Sequence, residues 1–418
     1  MERSTGEADM KLRNYVLVTA GYWAFTLTDG ALRMLVLLYF HELGYSPVSI
    51  AFLFLLYEVM GIITNLIGGW VGARTGLNRT LMAGLGLQIV ALVAMSFHRP
   101  SWNEVVSVVF VMAAQALSGV AKDLTKMSSK SAVKFVAGSN EGALFRLVAV
   151  LTGSKNALKG VGFFLGAALL SWVGYDRALW IMAAAIAAVL VAVTVGLDED
   201  LGRSKRKPPL RSILSKSAAI NRLSIARFFL FGSRDIWFVV ALPIFLAEQL
   251  GWSFEGIGAF LAAWVIGYGI IQAAAPQLLR RSAAKPNYEV RAAQTWALAL
   301  AVVSAAIAAV VALGFASIAL VAGLIVFGVI FALNSSLHSF LILAYSDGED
   351  VSLDVGFYYS ANAAGRLTGT LLSGLLYLAG GLDAALLGSC LFVIITWLFT
   401  LRLPPVTPVV PAEAQPSR

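Results

Sequence analysis

Ten ionisable side chains stand inside the long apolar runs of this chain: Asp29, Arg33, Glu58, Arg146, Lys155, Lys159, Arg227, Arg234, Asp235 and Arg366. Each would cost roughly 2.5–3.5 kcal/mol at a lipid-exposed helix centre. They must therefore face one another, a wet cavity or a ligand. Seven are bases and three are acids, and such a surplus of positive charge in a low dielectric calls for a multiply charged anion. Arginine matches phosphate-like oxygens in bidentate fashion, while lysine acts as a mobile point charge. Lys155 and Lys159 lie one turn apart, and Arg227 lies two turns before Arg234, so each pair shares a helix face. Arg33, Lys155, Lys159, Arg227, Arg234 and Arg366 are the candidate substrate-binding bases, with Asn156 as a neutral contact.

The acids suggest proton chemistry. Asp29 and Arg33 are one turn apart and can form an intrahelical ion pair, or Asp29 can titrate as that pair opens. Glu58 has no partner on its own helix and is the leading candidate for carrying a proton. Asp235 directly follows Arg234, about 100° away around a helix, which suits it to neutralising a base on another span.

Other chemistries lack their residues. One cysteine, Cys390, excludes an internal disulfide and a multi-thiolate metal site. His41, His98 and His338 are scattered, and nothing resembles a catalytic cluster of an enzyme. The stretch "GVGFFLGAALL" lacks the Lys-Ser/Thr ending of a phosphate loop and reads as helix packing. No cofactor is expected.

The elements that position these groups are membrane spans. The chain of 418 residues is 59% hydrophobic and 13% charged, where a soluble domain has about 25% charged. Apolar runs of about 20 residues predict twelve spans, near 14–40, 47–71, 80–97, 105–124, 143–171, 178–197, 219–247, 254–279, 292–313, 316–345, 355–379 and 383–402. With the N-terminus inside, the inner segments hold 22 Lys and Arg and the outer segments two, Arg99 and Arg177. That asymmetry places both termini in the cytoplasm. It also accounts for the net charge of +8 without invoking nucleic acid. The interior charges fall in spans one, two, five, seven and eleven, and most lie within about four residues, or ~6 Å, of a span centre. Spans three, six, nine and twelve carry none away from their ends.

The chain divides at its midpoint. Residues 198–218, charged and holding Pro208-Pro209, read as a cytoplasmic linker between two six-helix bundles, 1–197 and 219–402, with a disordered proline-rich tail at 403–418. "HELGYS" at 41–46 recurs as "EQLGWS" at 248–253, and "AFLFLLYEVMGII" at 51–63 as "AFLAAWVIGYGII" at 259–271. These are the marks of an internal repeat. Lys122, Lys126, Lys130 and Lys134 repeat every four residues, which reads first as a helical stripe on anionic headgroups and second as a lure for anions at the inner mouth.

The segment "GGWVGARTGLNRT" (68–80) resembles the loop signature of major facilitator transporters. Gly69, Arg74, Gly76 and Arg79 match, while Ala73 stands at the acidic position. The resemblance implies an all-α membrane protein with twelve helices in two pseudo-symmetric halves. It implies gating roles for Arg74 and Arg79, and Lys122 and Asp123 at the inner end of span four join them as gating candidates. The blocks "YWAFTLTDGALRMLVLLYFHELGYSP", "AQALSGVAKDLTKMSSKS", "LTGSKNALKGVGFFLG" and "RFFLFGSRDIWFVVALPIFLA" resemble the organoarsenical efflux permeases of bacterial arsenic-resistance operons, the ArsJ family. That resemblance implies export of 1-arseno-3-phosphoglycerate across the bacterial inner membrane, with proton antiport as the energy source. The functional partner implied is glyceraldehyde-3-phosphate dehydrogenase, which makes this ester from arsenate. Trivalent arsenic would want clustered thiolates, so any arsenic carried should be pentavalent and esterified. Another phosphorylated metabolite or organic anion would suit the same cavity.

Overall fold

A computed structural model describes residues 2–75, 77–137, 141–197, 217–279, 288–314, 317–346 and 351–405. The side chains of 68–77 and 130–153 lie outside the described residues, and with them Arg74, Lys130, Lys134 and Arg146. So do nearly all of the linker and the tail beyond residue 405.

Helices occupy almost all of what is described. They are α1 (Glu2–Glu42), α2 (Pro47–Leu53), α3 (Leu55–Thr75), α4 (Leu77–Met95), α5 (Glu104–Ala137), α6 (Glu141–Val173) and α7 (Tyr175–Gly196). After the linker come α8 (Ala218–Phe238), α9 (Ala241–Glu248), α10 (Phe254–Leu279), α11 (Tyr288–Ala312), α12 (Ser317–Tyr345) and α13 (Val351–Thr400). These thirteen helices make twelve crossings. The pair α2–α3 forms span two, and α8–α9 forms span seven. The long helix α13 holds spans eleven and twelve, because Gly380 and Gly381 leave helical geometry and Gly381 takes φ +72°, a conformation open to glycine at little steric cost. Its apolar part of 47 residues would otherwise run to about 70 Å, more than twice a bilayer core of about 30 Å.

The break in span seven is chemically supported. The backbone N–H groups of Val240 and Ala241, freed between α8 and α9, donate to Ser373 Oγ on α13 at 3.2 and 3.0 Å. Inside a membrane such groups must find a protein partner.

Glycine lets the central helices touch. A Cβ on Gly166 of α6 would strike the Ala31 carbonyl oxygen of α1, and a Cβ on Gly365 of α13 would strike the Phe228 carbonyl oxygen of α8. The first seam joins spans one and five, and the second joins spans seven and eleven. The same packing is thus used once in each half, as the repeat requires. Between halves, α6 packs on α10 and α3 on α13.

Spans one and seven are the most buried. In α1 78% and in α8–α9 83% of the most apolar stretch is buried, against 33% in α7 and α11. Val191 and Val195 of α7, Val302 of α11 and Leu387 and Leu391 of α13 are exposed apolar side chains, a surface that suits lipid. These surfaces belong to spans six, nine and twelve, three of the four that carry no charge away from their ends, while the apolar stretch of the fourth, span three, is 50% buried.

Candidate functional site

Five of the charges predicted within spans one, two, seven and eleven meet in a single network. Arg33 of α1 donates to Glu58 Oε1 of α3 at 2.5 Å, and Arg366 of α13 donates to the same oxygen at 2.6 Å. Arg366 also reaches Asp235 Oδ2 of α8 through Nε at 3.1 Å. Asp235 in turn takes two hydrogen bonds from its neighbour Arg234. Glu58 and Asp235 are wholly buried. The chain of contacts Arg33–Glu58–Arg366–Asp235–Arg234 therefore crosses from the first six spans to the second.

One expected pairing is corrected. Arg33 turns to Glu58 instead of Asp29, and Asp29 accepts from the Tyr57 hydroxyl at 2.5 Å. Consecutive residues of α3, Tyr57 and Glu58, take up the two groups that α1 presents one turn apart. Asp235 does neutralise a base on another span, Arg366. It also holds Arg234, because a guanidinium on a long side chain can fold back over the 100° that separates the two Cβ directions.

Beside the network lies a cavity of about 190 Å³. Lys122, Lys126, Lys155, Lys159 and Arg366 contribute bases to its wall, and Asp29 and Asp123 contribute acids. Tyr22, Thr26, Tyr57, Asn65, Tyr359 and Asn362 supply neutral polar groups. The acids are engaged. Asp123 accepts from Thr64 and from Lys126 at 3.4 Å, and Lys126 also donates to Asn65 at 3.0 Å. Lys122 lies over the Tyr57 ring at 4.1 Å and Lys159 over the Phe163 ring at 5.6 Å. The lining comes from the middle of α1 (Tyr22 to Asp29) and of α6 (Lys155 and Lys159), from Tyr57 and Asn65 of α3, from the second half of α5 and from the first half of α13. The end of the bundle where α1 finishes is filled by apolar packing that includes Leu35–Leu38, Phe40, Phe54 and Ala241–Leu246, and by the stacked rings of Tyr39 and Tyr175, 3.9 Å apart. Among the described residues, the cavity is therefore closed at that end.

The other predicted residues are placed as follows. Lys122 and Asp123, expected at a gate, stand in the cavity wall. Lys122 and Lys126 point inward instead of resting on headgroups, which favours the second reading of that stripe. Arg79 is exposed, away from the cavity. Asn156 donates to Gln272 Oε1 of α10 at 3.2 Å, a contact between the two halves. Arg227 does share a face with Arg234, both guanidiniums lying over the Phe231 ring at 3.9 and 5.2 Å, yet it does not line the cavity. Sequence reasoning missed Tyr22, Tyr57 and Tyr359. No spacing in the sequence singled them out, since a tyrosine in an apolar span reads alike whether it faces lipid, core or cavity.

Comparison with known proteins agrees with this geometry. The model of the Major Facilitator Superfamily matches residues 18–337. The crystal structure of the human organic anion transporter MFSD10 (TETRAN) superposes with a TM-score of 0.66 at 17% sequence identity, covering 93% of this chain and 99% of that one. No curated protein matches. With a family match over most of its length, paired small-residue seams and a buried polar cavity among its central spans, this multi-pass membrane protein belongs to the major facilitator superfamily.

Proposed function

We propose that this protein is an efflux permease for a small polyanionic organic acid, with 1-arseno-3-phosphoglycerate as the specific substrate, and that it thereby confers resistance to arsenate. The observation that carries the reading is the cavity wall, where five bases face two acids that are already hydrogen-bonded. A volume of about 190 Å³ is small beside the ~300–1,000 Å³ of drug-sized pockets, which suits a compact, highly charged ester. The organic-anion description of the superposed human transporter names the same broad chemistry. The particular ester rests on the resemblance of the quoted blocks to ArsJ permeases.

In this reading Lys155, Lys159 and Arg366 bind the anion, and Lys122 and Lys126 draw it into the mouth. Arg33 and Arg234 support Arg366 by occupying its counter-ions, Glu58 and Asp235. Proton antiport supplies the energy through Asp29, Glu58 and Asp235. An incoming anion competes with Glu58 and Asp235 for Arg366, so binding loosens the ion pairs that tie the halves together. The halves are 1–197 and 219–402, joined by the linker 198–218 and followed by the tail 403–418. Both termini and the open end of the cavity face the cytoplasm of a bacterial cell, whose glyceraldehyde-3-phosphate dehydrogenase supplies the ester.

Growth on arsenate is the first test. An arsenate-sensitive bacterium carrying both this protein and the dehydrogenase should tolerate several-fold more arsenate than one carrying either alone. Equal sensitivity, with the permease shown in the membrane, would remove the arsenate ester and favour another phosphorylated metabolite.

A further inference from the structure

A second polar cluster, separate from the cavity, lies between α8 and α12. Arg227 is only 3% exposed. Its Nη1 donates to the carbonyl oxygen and the hydroxyl of Ser335 at 3.0 and 3.1 Å. Its guanidinium lies over Phe231 at 3.9 Å and Tyr358 at 5.0 Å. Among the described residues it has no carboxylate partner, and its Nε has no hydrogen-bond partner. A buried ion left uncompensated costs several kcal/mol.

Its surroundings offer further unpaired groups. His338 lies one turn beyond Ser335 on α12, wholly buried, and neither ring nitrogen has a partner among the described residues. Asn334, one turn before His338, is equally buried, and both of its side-chain polar atoms are unpartnered. Ser335 and His338, three residues apart, share a face of α12 that meets the guanidinium through Ser335, and Asn334 adds an unpaired carboxamide one turn before His338. Buried polar atoms are nearly always satisfied in native structures, so this concentration needs an explanation.

We propose that Arg227, Ser335, His338 and Asn334 form a site for a small monovalent inorganic anion such as chloride. One permanent positive charge needs one negative charge, and the donors Nε–H, imidazole N–H and carboxamide NH₂ suit a spherical acceptor. The other guanidinium over Phe231, that of Arg234, is already held by Asp235, so one uncompensated positive charge is left here, which distinguishes this site from the lysine-rich cavity. The two are nonetheless connected. Gln272 of α10 donates to Ser335 Oγ at 3.4 Å and accepts from Asn156 of α6 at 3.2 Å, the residue between Lys155 and the remainder of α6. An anion at Arg227 would hold Ser335 and, through it, this polar link between the halves.

The test uses the purified full-length protein in detergent, unfolded thermally in sodium chloride and in sodium gluconate at equal ionic strength. Chloride should raise the midpoint in a saturable way. Ser335→Ala, which removes one donor with little change in volume, should need roughly tenfold more chloride for the same rise, and Arg227→Gln should show no chloride-dependent rise. Lys159→Ala, in the cavity, should keep the full response. Bromide soaked into crystals should give anomalous density between α8 and α12, which tests the site even if Arg227→Gln fails to fold. A midpoint indifferent to chloride in the unaltered protein would overturn the proposal, leaving water as the partner of these groups. A response lost in Lys159→Ala and kept in Ser335→Ala would also overturn it, by placing the anion in the cavity.

Discussion

Arg366→Ala is expected to abolish transport and to lower stability by about 3 kcal/mol, at the lower end of the ~3–5 kcal/mol seen when a buried ion pair loses one partner. Arg366 is the one base that both lines the cavity and bridges Glu58 and Asp235. Removing it strands neither carboxylate fully, since Glu58 keeps Arg33 and Asp235 keeps Arg234. Transport should suffer more than stability, because the anion loses the one arginine among the described residues of the cavity wall and the two halves lose their shared counter-ion. Arg366→Lys sharpens the test. A lysine keeps the charge but cannot address two carboxylates in the fixed fork of a guanidinium, so it should recover much of the stability and little of the transport. Thermal unfolding in detergent together with flux in proteoliposomes measures both quantities. Flux at the unaltered rate in a folded Arg366→Ala protein would contradict the assignment.

Lys159→Gln should act on affinity alone. The residue touches the Phe163 ring, and no carboxylate pairs with it among the described residues, so its loss leaves no buried charge behind. One hydrogen bond to a charged group is worth about 1.5–3 kcal/mol, which raises KM roughly 10–150-fold while the unfolding midpoint and the maximal flux stay near those of the unaltered protein. A large fall in the unfolding midpoint would show instead that Lys159 is structural.

The twelve-span architecture was legible because a bilayer imposes a length and a composition on every crossing. Interior charges in spans one, two, five, seven and eleven were legible for the same reason, since lipid makes each of them costly. The pairings were not. Spacing along α1 shows that Asp29 and Arg33 share a face, but it holds no information on which residues of α3 meet that face. Tyr57 and Glu58 reach both groups at once, and only the packing of α1 against its neighbours decides that. The lysine stripe of α5 was ambiguous in a similar way, because a four-residue repeat describes a stripe equally well whether it faces headgroups or a cavity. Arg227 looked like a partner of Arg234 in one site. Phe231 stands between them on the same face, and the aromatic ring divides the stripe into two environments.

The central claim is that the cavity bounded by Lys155, Lys159 and Arg366 carries a polyanionic ester out of the cell. Uptake into everted membrane vesicles tests it most directly, with the ester generated in place by the dehydrogenase, arsenate and glyceraldehyde 3-phosphate. The account predicts accumulation driven by an imposed proton gradient, abolished by collapsing that gradient and by Arg366→Ala. Accumulation no greater than in vesicles lacking the protein, with the protein shown folded and inserted, would contradict it.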